Sequence, residues 1–67
     1  MIPITLNGEP RQVPAGSSLA DLVAQVADSP LALATAVNGD FVGREQRAQR
    51  LLQPQDAVFT FQPITGG

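Results

Sequence analysis

A chain of 67 residues makes one small domain, which buries only about 60% of its unfolded surface and leaves little volume for a pocket of roughly 300 Å³. It has no cysteine and no histidine, which removes disulfides, thiol catalysis, the usual zinc ligand sets and the commonest general base. The net charge of −2 sets six acidic residues against Arg11, Arg44, Arg47 and Arg50 and argues against nucleic acid, which attracts a basic face.

Ile2, Ile4 and Leu6 alternate with Pro3 and Thr5, the period-2 pattern of a half-buried strand. Pro3 conflicts locally, because proline gives nothing to a ladder and prefers strand starts or edges. Asn7-Gly8 then offers a tight hairpin turn, with Arg11-Gln12-Val13 as the returning strand. Pro14-Ala15-Gly16-Ser17 is a turn. Ser18 with Asp21 three residues on reads as a helix-capping pair rather than as a catalytic acid. Leu19, Leu22, Val23 and Val26 follow at i, i+3, i+4 and i+7, one apolar helix stripe. Asp28-Ser29-Pro30 stops the helix, since residues before proline avoid helical geometry.

Leu33 to Val37 is apolar and partly β-branched, consistent with a strand. Asn38-Gly39 reads only as a second tight turn, and Phe41-Val42 as a short strand after it. Arg44 to Leu52 allows one or two helical turns, and Arg44, Arg47 and Arg50 are expected to form a solvated face, from which an arginine could pair with an acidic partner. Gln53-Pro54-Gln55-Asp56 is a turn, and Ala57 to Gln62 is a strongly β-prone last strand. One helix covers one face of a sheet. The order predicts an α+β fold of the β-grasp kind, a mixed sheet with one main helix on one face and the last strand parallel to the first at the centre. Residues 1–62 would form this domain and 63–67 a flexible tail.

The four arginines are the whole basic complement, so the sequence contains no lysine. Drift toward arginine explains this, and so does the advantage of offering no amine to an activated C-terminus; the sequence does not separate the two. No apolar run approaches the roughly 18 residues of a membrane span. Met1-Ile2-Pro3 lacks the basic and then apolar start of a signal peptide. A cytoplasmic protein without membrane, nucleic-acid, metal or cofactor partners is expected.

Five segments occur here in one order: Ile4-Thr5-Leu6-Asn7-Gly8-Glu9, Ser18-Leu19-Ala20-Asp21-Leu22, Ala36-Val37-Asn38-Gly39, Pro54-Gln55-Asp56 and the final Gly66-Gly67. Together they resemble the sulfur carrier family of thiamine biosynthesis, over nearly the whole chain. That family is similar in fold to ubiquitin and to the small subunit of molybdopterin synthase. The resemblance implies a carrier rather than an enzyme. An ATP-dependent activating enzyme would adenylate the Gly67 carboxylate, and sulfur supplied through a cysteine desulfurase would turn it into a thiocarboxylate. Thiazole synthase would accept that sulfur.

Elementary chemistry agrees with such a design. Two glycines have no Cβ, tolerate unusual backbone angles, and fit a narrow passage into another protein's active site. Joining a carboxylate to AMP supplies the leaving group it lacks. The plain alternative for Gly66-Gly67 is a frayed end. A β-prone strand running into the diglycine favours function, although Thr65 is bulkier than the small residue often found there in the family and Pro63 stiffens the tail. Ile64 and Thr65 are expected to touch the partners along with Phe59 and Phe61. For the phenylalanines two registers stand open. As aromatics of a small domain they belong in the core, whereas the ubiquitin-like register turns Val58 and Thr60 inward and leaves Phe59 and Phe61 exposed beside the tail. Rival functions are the small sulfur-carrier subunit of molybdopterin synthase, for which the chain is short, a ubiquitin-like modifier joined to lysines through Gly67, and a plain interaction module.

Overall fold

The computed structural model describes residues 1–27 and 32–61. Five strands form one sheet: β1 (Ile2–Leu6), β2 (Glu9–Val13), β3 (Ala34–Val37), β4 (Asp40–Val42) and β5 (Ala57–Phe61). Their order across the sheet is β2-β1-β5-β3-β4, with β1 and β5 parallel and the other neighbours antiparallel. The single α-helix among the described residues, α1 (Leu19–Val26), covers one face. This is the mixed β-grasp arrangement that the element order predicts. The expected stop at Asp28-Ser29-Pro30 and the whole of 62–67 lie outside the described residues.

Both hairpins turn on Asn-Gly. Asn7 and Gly8 take φ of 53° and 85°, and Asn38 and Gly39 take 54° and 86°, the paired positive values of a type I′ turn, whose twist matches that of the strands. The second strand is longer than the three residues expected, beginning at Glu9 and pairing it with Leu6.

Pro3 is harmless for a geometric reason. Thr5 donates its backbone N–H to Asp56 O (2.9 Å) and Asn7 to Val58 O (2.8 Å). Alternate residues of a strand point the same way, so the missing Pro3 N–H also faces β5, whose pairing with β1 starts only at Thr5. Pro10 in β2 sits opposite Thr5, and by the same alternation its nitrogen faces outward from the sheet edge, where no ladder bond is lost.

The helix begins as its sequence implies. Ser18 Oγ accepts from the Asp21 N–H at 3.1 Å, and the Asp21 carboxylate accepts from the Ser18 N–H at 3.0 Å, a reciprocal cap. Leu19, Leu22 and Val23 are buried and Val26 packs partly against them, in one cluster with Ile4, Val13, Val37, Val42, Leu52 and Val58. Among the described residues, no helix is long and apolar enough to cross a membrane.

The arginine face expected after β4 is not there. The 3-10 turn Arg44–Gln46 continues into turns closed by bonds such as Gln49 N–H to Gln46 O and Arg50 N–H to Gln46 O, the one or two helical turns that the sequence allows. Of Arg44, Arg47 and Arg50, however, only Arg44 is exposed. Arg47 is 4% exposed. Its Nε donates to Thr35 Oγ1 (3.1 Å) and its Nη2 to the Leu33 carbonyl. Thr35 Oγ1 in turn donates to Val42 O at 2.9 Å. Burial first, and the nearby charge of Arg44 second, lower the Arg47 pKa from its ordinary value. Its buried polar neighbours explain its presence inside: a guanidinium fork bridges a strand hydroxyl and a carbonyl ahead of β3.

Candidate functional site

The site grows from β5. Val58 is fully buried and Thr60 half-buried, while Phe59 and Phe61 are 40% and 49% exposed. Of the two registers open in the sequence, the structure has the one that turns the phenylalanines out. The reason is the parallel pairing: Leu6 sits beside Val58, on the side that faces α1, and one residue further along β5 reverses the face.

Residues opposite each other in register share a face, which defines the open side of the sheet. Ala36 lies between Phe59 of β5 and Phe41 of β4, and Ala34 lies beside Phe61. Phe41 is 71% exposed. All three aromatics of the sequence therefore stand on the uncovered face, separated by small alanines. Phe41 was missing from the residues picked out by sequence. Its face follows from counting the two-residue turn at Asn38-Gly39, a signal that was available. The depression beside it, lined by Phe41, Gly43, Arg44, Glu45 and Gln46, is open, so a small molecule there would stay largely wetted.

Asparagine and aspartate side chains fix β5 in place. Asn38 Nδ2 donates to Asp56 Oδ1 at 2.9 Å, and Asn38 Oδ1 accepts from the Ala57 N–H at 2.9 Å. Asp56, 6% exposed, also accepts from the Gln53 N–H at 2.8 Å. Asn38 is thus more than the turn residue it was expected to be: it ties the β3–β4 hairpin to the start of β5. Asp56 is buried because its oxygens serve this junction, a role that residue type alone does not reveal. Among the described residues, no three acidic side chains converge to hold a metal. Gly66, Gly67, Ile64 and Thr65 lie outside the described residues.

A mixed sheet covered on one face by α1, with β5 at its centre beside β1, defines a ubiquitin-like β-grasp protein. The ThiS family model matches residues 4–67. A sulfur carrier protein, ThiS of Escherichia coli strain K12, is 36% identical over 64 residues, covering 96% of this chain and 97% of that one. The chain belongs to the ThiS family. In fold it is similar to a thiamine biosynthesis protein, ThiS, of Geobacter metallireducens. The crystal structure of that protein aligns with a TM-score of 0.83 at 24% identity, over 98% of this chain and all of that one. Its solution structure aligns with a TM-score of 0.71, over 98% of this chain and 88% of that one.

Proposed function

We propose that this chain is a sulfur carrier for thiamine biosynthesis, acting in the cytoplasm, with Gly67 as the loaded residue and the phenylalanine face as its docking surface. The observation that carries the reading is the family match over nearly the whole chain, which runs through Gly66-Gly67. Loading begins when a carboxylate oxygen of Gly67 attacks the α-phosphate of ATP on an activating enzyme and pyrophosphate leaves. A sulfur nucleophile, supplied through a cysteine desulfurase, then attacks the carbonyl carbon. The C–S bond forms as the C–O bond to AMP breaks, and AMP leaves with the electron pair. Where the nucleophile is a persulfide, two electrons from a thiol reductant cleave the S–S bond and free the thiocarboxylate. Thiazole synthase receives the sulfur. The chain is a reagent in this sequence rather than an enzyme.

The docking assignment rests on position. Phe59 and Phe61 are exposed apolar groups on the strand that leads toward the tail, and such groups become binding anchors when a partner covers them. Ile64, Thr65 and Gly66 are assigned to the narrow passage that admits Gly67. Intact-mass measurement of the chain purified from its host tests the carrier reading. Replacement of one terminal oxygen by sulfur is the expected result, and a chain that never carries sulfur during thiamine-limited growth would overturn it. Growth of a deletion strain restored by thiazole, without any molybdenum-cofactor defect, separates the thiamine pathway from that of molybdopterin.

A further inference from the structure

The side chain of Asn7 does something that its place in a turn does not require. In a parallel ladder a residue gives its N–H to the neighbouring strand and takes, at its carbonyl, an N–H from two residues further along that strand. Asn7 makes the first of these bonds, to Val58 O at 2.8 Å. Its backbone then enters the turn at φ 53°, and the Thr60 N–H goes to the side-chain Oδ1, at 3.0 Å. The same amide closes the pair from the other end, Nδ2 donating to Thr60 Oγ1 at 3.1 Å. Asn7 therefore supplies a rung of sheet after β1 has ended. It braces β5 on the β1 side almost as far as Ala34 braces it on the β3 side, where the last pair is Ala34 with Phe61.

We propose that Asn7 is a positioning residue for Gly67. It holds the end of β5 in the sheet, and so fixes the point from which the last six residues of the sequence start toward the activating enzyme. The inference rests on the sulfur-carrier reading. Turn geometry alone would accept glycine or aspartate here as readily as asparagine. Only a residue with an acceptor at this reach replaces the carbonyl that the turn takes away. The end of β5 is the described point nearest Gly67 in the chain, and reactions that depend on alignment lose rate steeply with small displacements.

Two variants separate this role from the turn. Asn7→Gly keeps the positive φ and removes the amide, and Asn7→Asp keeps φ and the oxygen that accepts from Thr60. Amide hydrogen exchange at Thr60 and Phe61 and adenylation kinetics with the host's activating enzyme are measured on both. In Asn7→Gly the Thr60 amide should exchange roughly five- to tenfold faster, as expected for one lost local bond, with Ile4 and Val37 unchanged. Its kcat should fall by about tenfold, the order of loss expected from a misdirected tail, at an unchanged KM, and Asn7→Asp should recover most of both losses. Unchanged Thr60 exchange in Asn7→Gly would overturn the proposal, and so would a normal kcat despite faster exchange. A wild-type chain that is never adenylated would remove the carrier reading and this positioning role together, while the exchange data would still report whether Asn7 braces β5.

Discussion

Arg47 shows how much one side chain contributes in a small domain. Its guanidinium lies inside, bonded to the Leu33 carbonyl and the Thr35 hydroxyl, groups that would otherwise be left without that partner. Arg47→Ala should therefore cost roughly 1–3 kcal/mol in chemical denaturation, the range for orphaned buried polar groups. Arg47→Lys should recover little, because an ammonium is a point donor and cannot span both acceptors as a planar fork does. Phe61 is the opposite case. Half of it is already in water, so Phe61→Ala should shift the unfolding midpoint by the equivalent of about 1 kcal/mol or less. Binding to the activating enzyme or thiazole synthase should weaken by more than about 1–2 kcal/mol. Thermal unfolding and partner titration on the same variant compare the two losses, and a larger effect on folding than on binding would remove Phe61 from the interface. The residue type of neither was informative by itself. An arginine read as surface is buried because a strand hydroxyl and a carbonyl await it, and a phenylalanine read equally as core is exposed because of register.

At the level of elements, α1 is the best-specified part of the chain, since cap, stripe and length agree. Leu22, 1% exposed and central in the cluster, should cost roughly 2–5 kcal/mol when truncated to alanine, a large share of the stability of a domain this size. Equilibrium denaturation of Leu22→Ala measures it, and a near-neutral result would contradict the packing of the helix on the sheet. Strand existence and both Asn-Gly turns were also legible, because alternation and positive-φ residues act locally. The helical turn after β4 was legible too, since its bonds are local, as from Arg47 N–H to Arg44 O. The Ser18–Leu51 bridge was not, because it depends on contacts with distant residues, such as Leu19 N–H to Arg50 O and Leu52 N–H to Ser17 O. Local pattern holds no record of such bonds. The same limit hid Asp56 and the second function of Asn38, whose partners lie 18 and 19 residues away.

For the whole molecule, the proposed function puts stability and chemistry in different places. Deleting Gly67 should leave the unfolding curve within about 0.5 kcal/mol of the intact chain, as for other changes away from the core. It should abolish sulfur loading in an adenylation assay, whereas a substantial loss of thermal stability would make the end of the chain structural. The family resemblance supplied Gly67 as the proposed loaded residue, and composition argued against the competing chemistries, but the proposed docking face needed the register of β5 and the position of Phe41. The sheet itself divides along the same line. On one side Thr35, Val37 and Val58, none of them measurably exposed, meet the helix and tolerate little change. On the other, Phe41, Phe59 and Phe61 answer to no residue of the helix. Descendants of this chain can therefore exchange their aromatics for other side chains without first having to find a new way to fold.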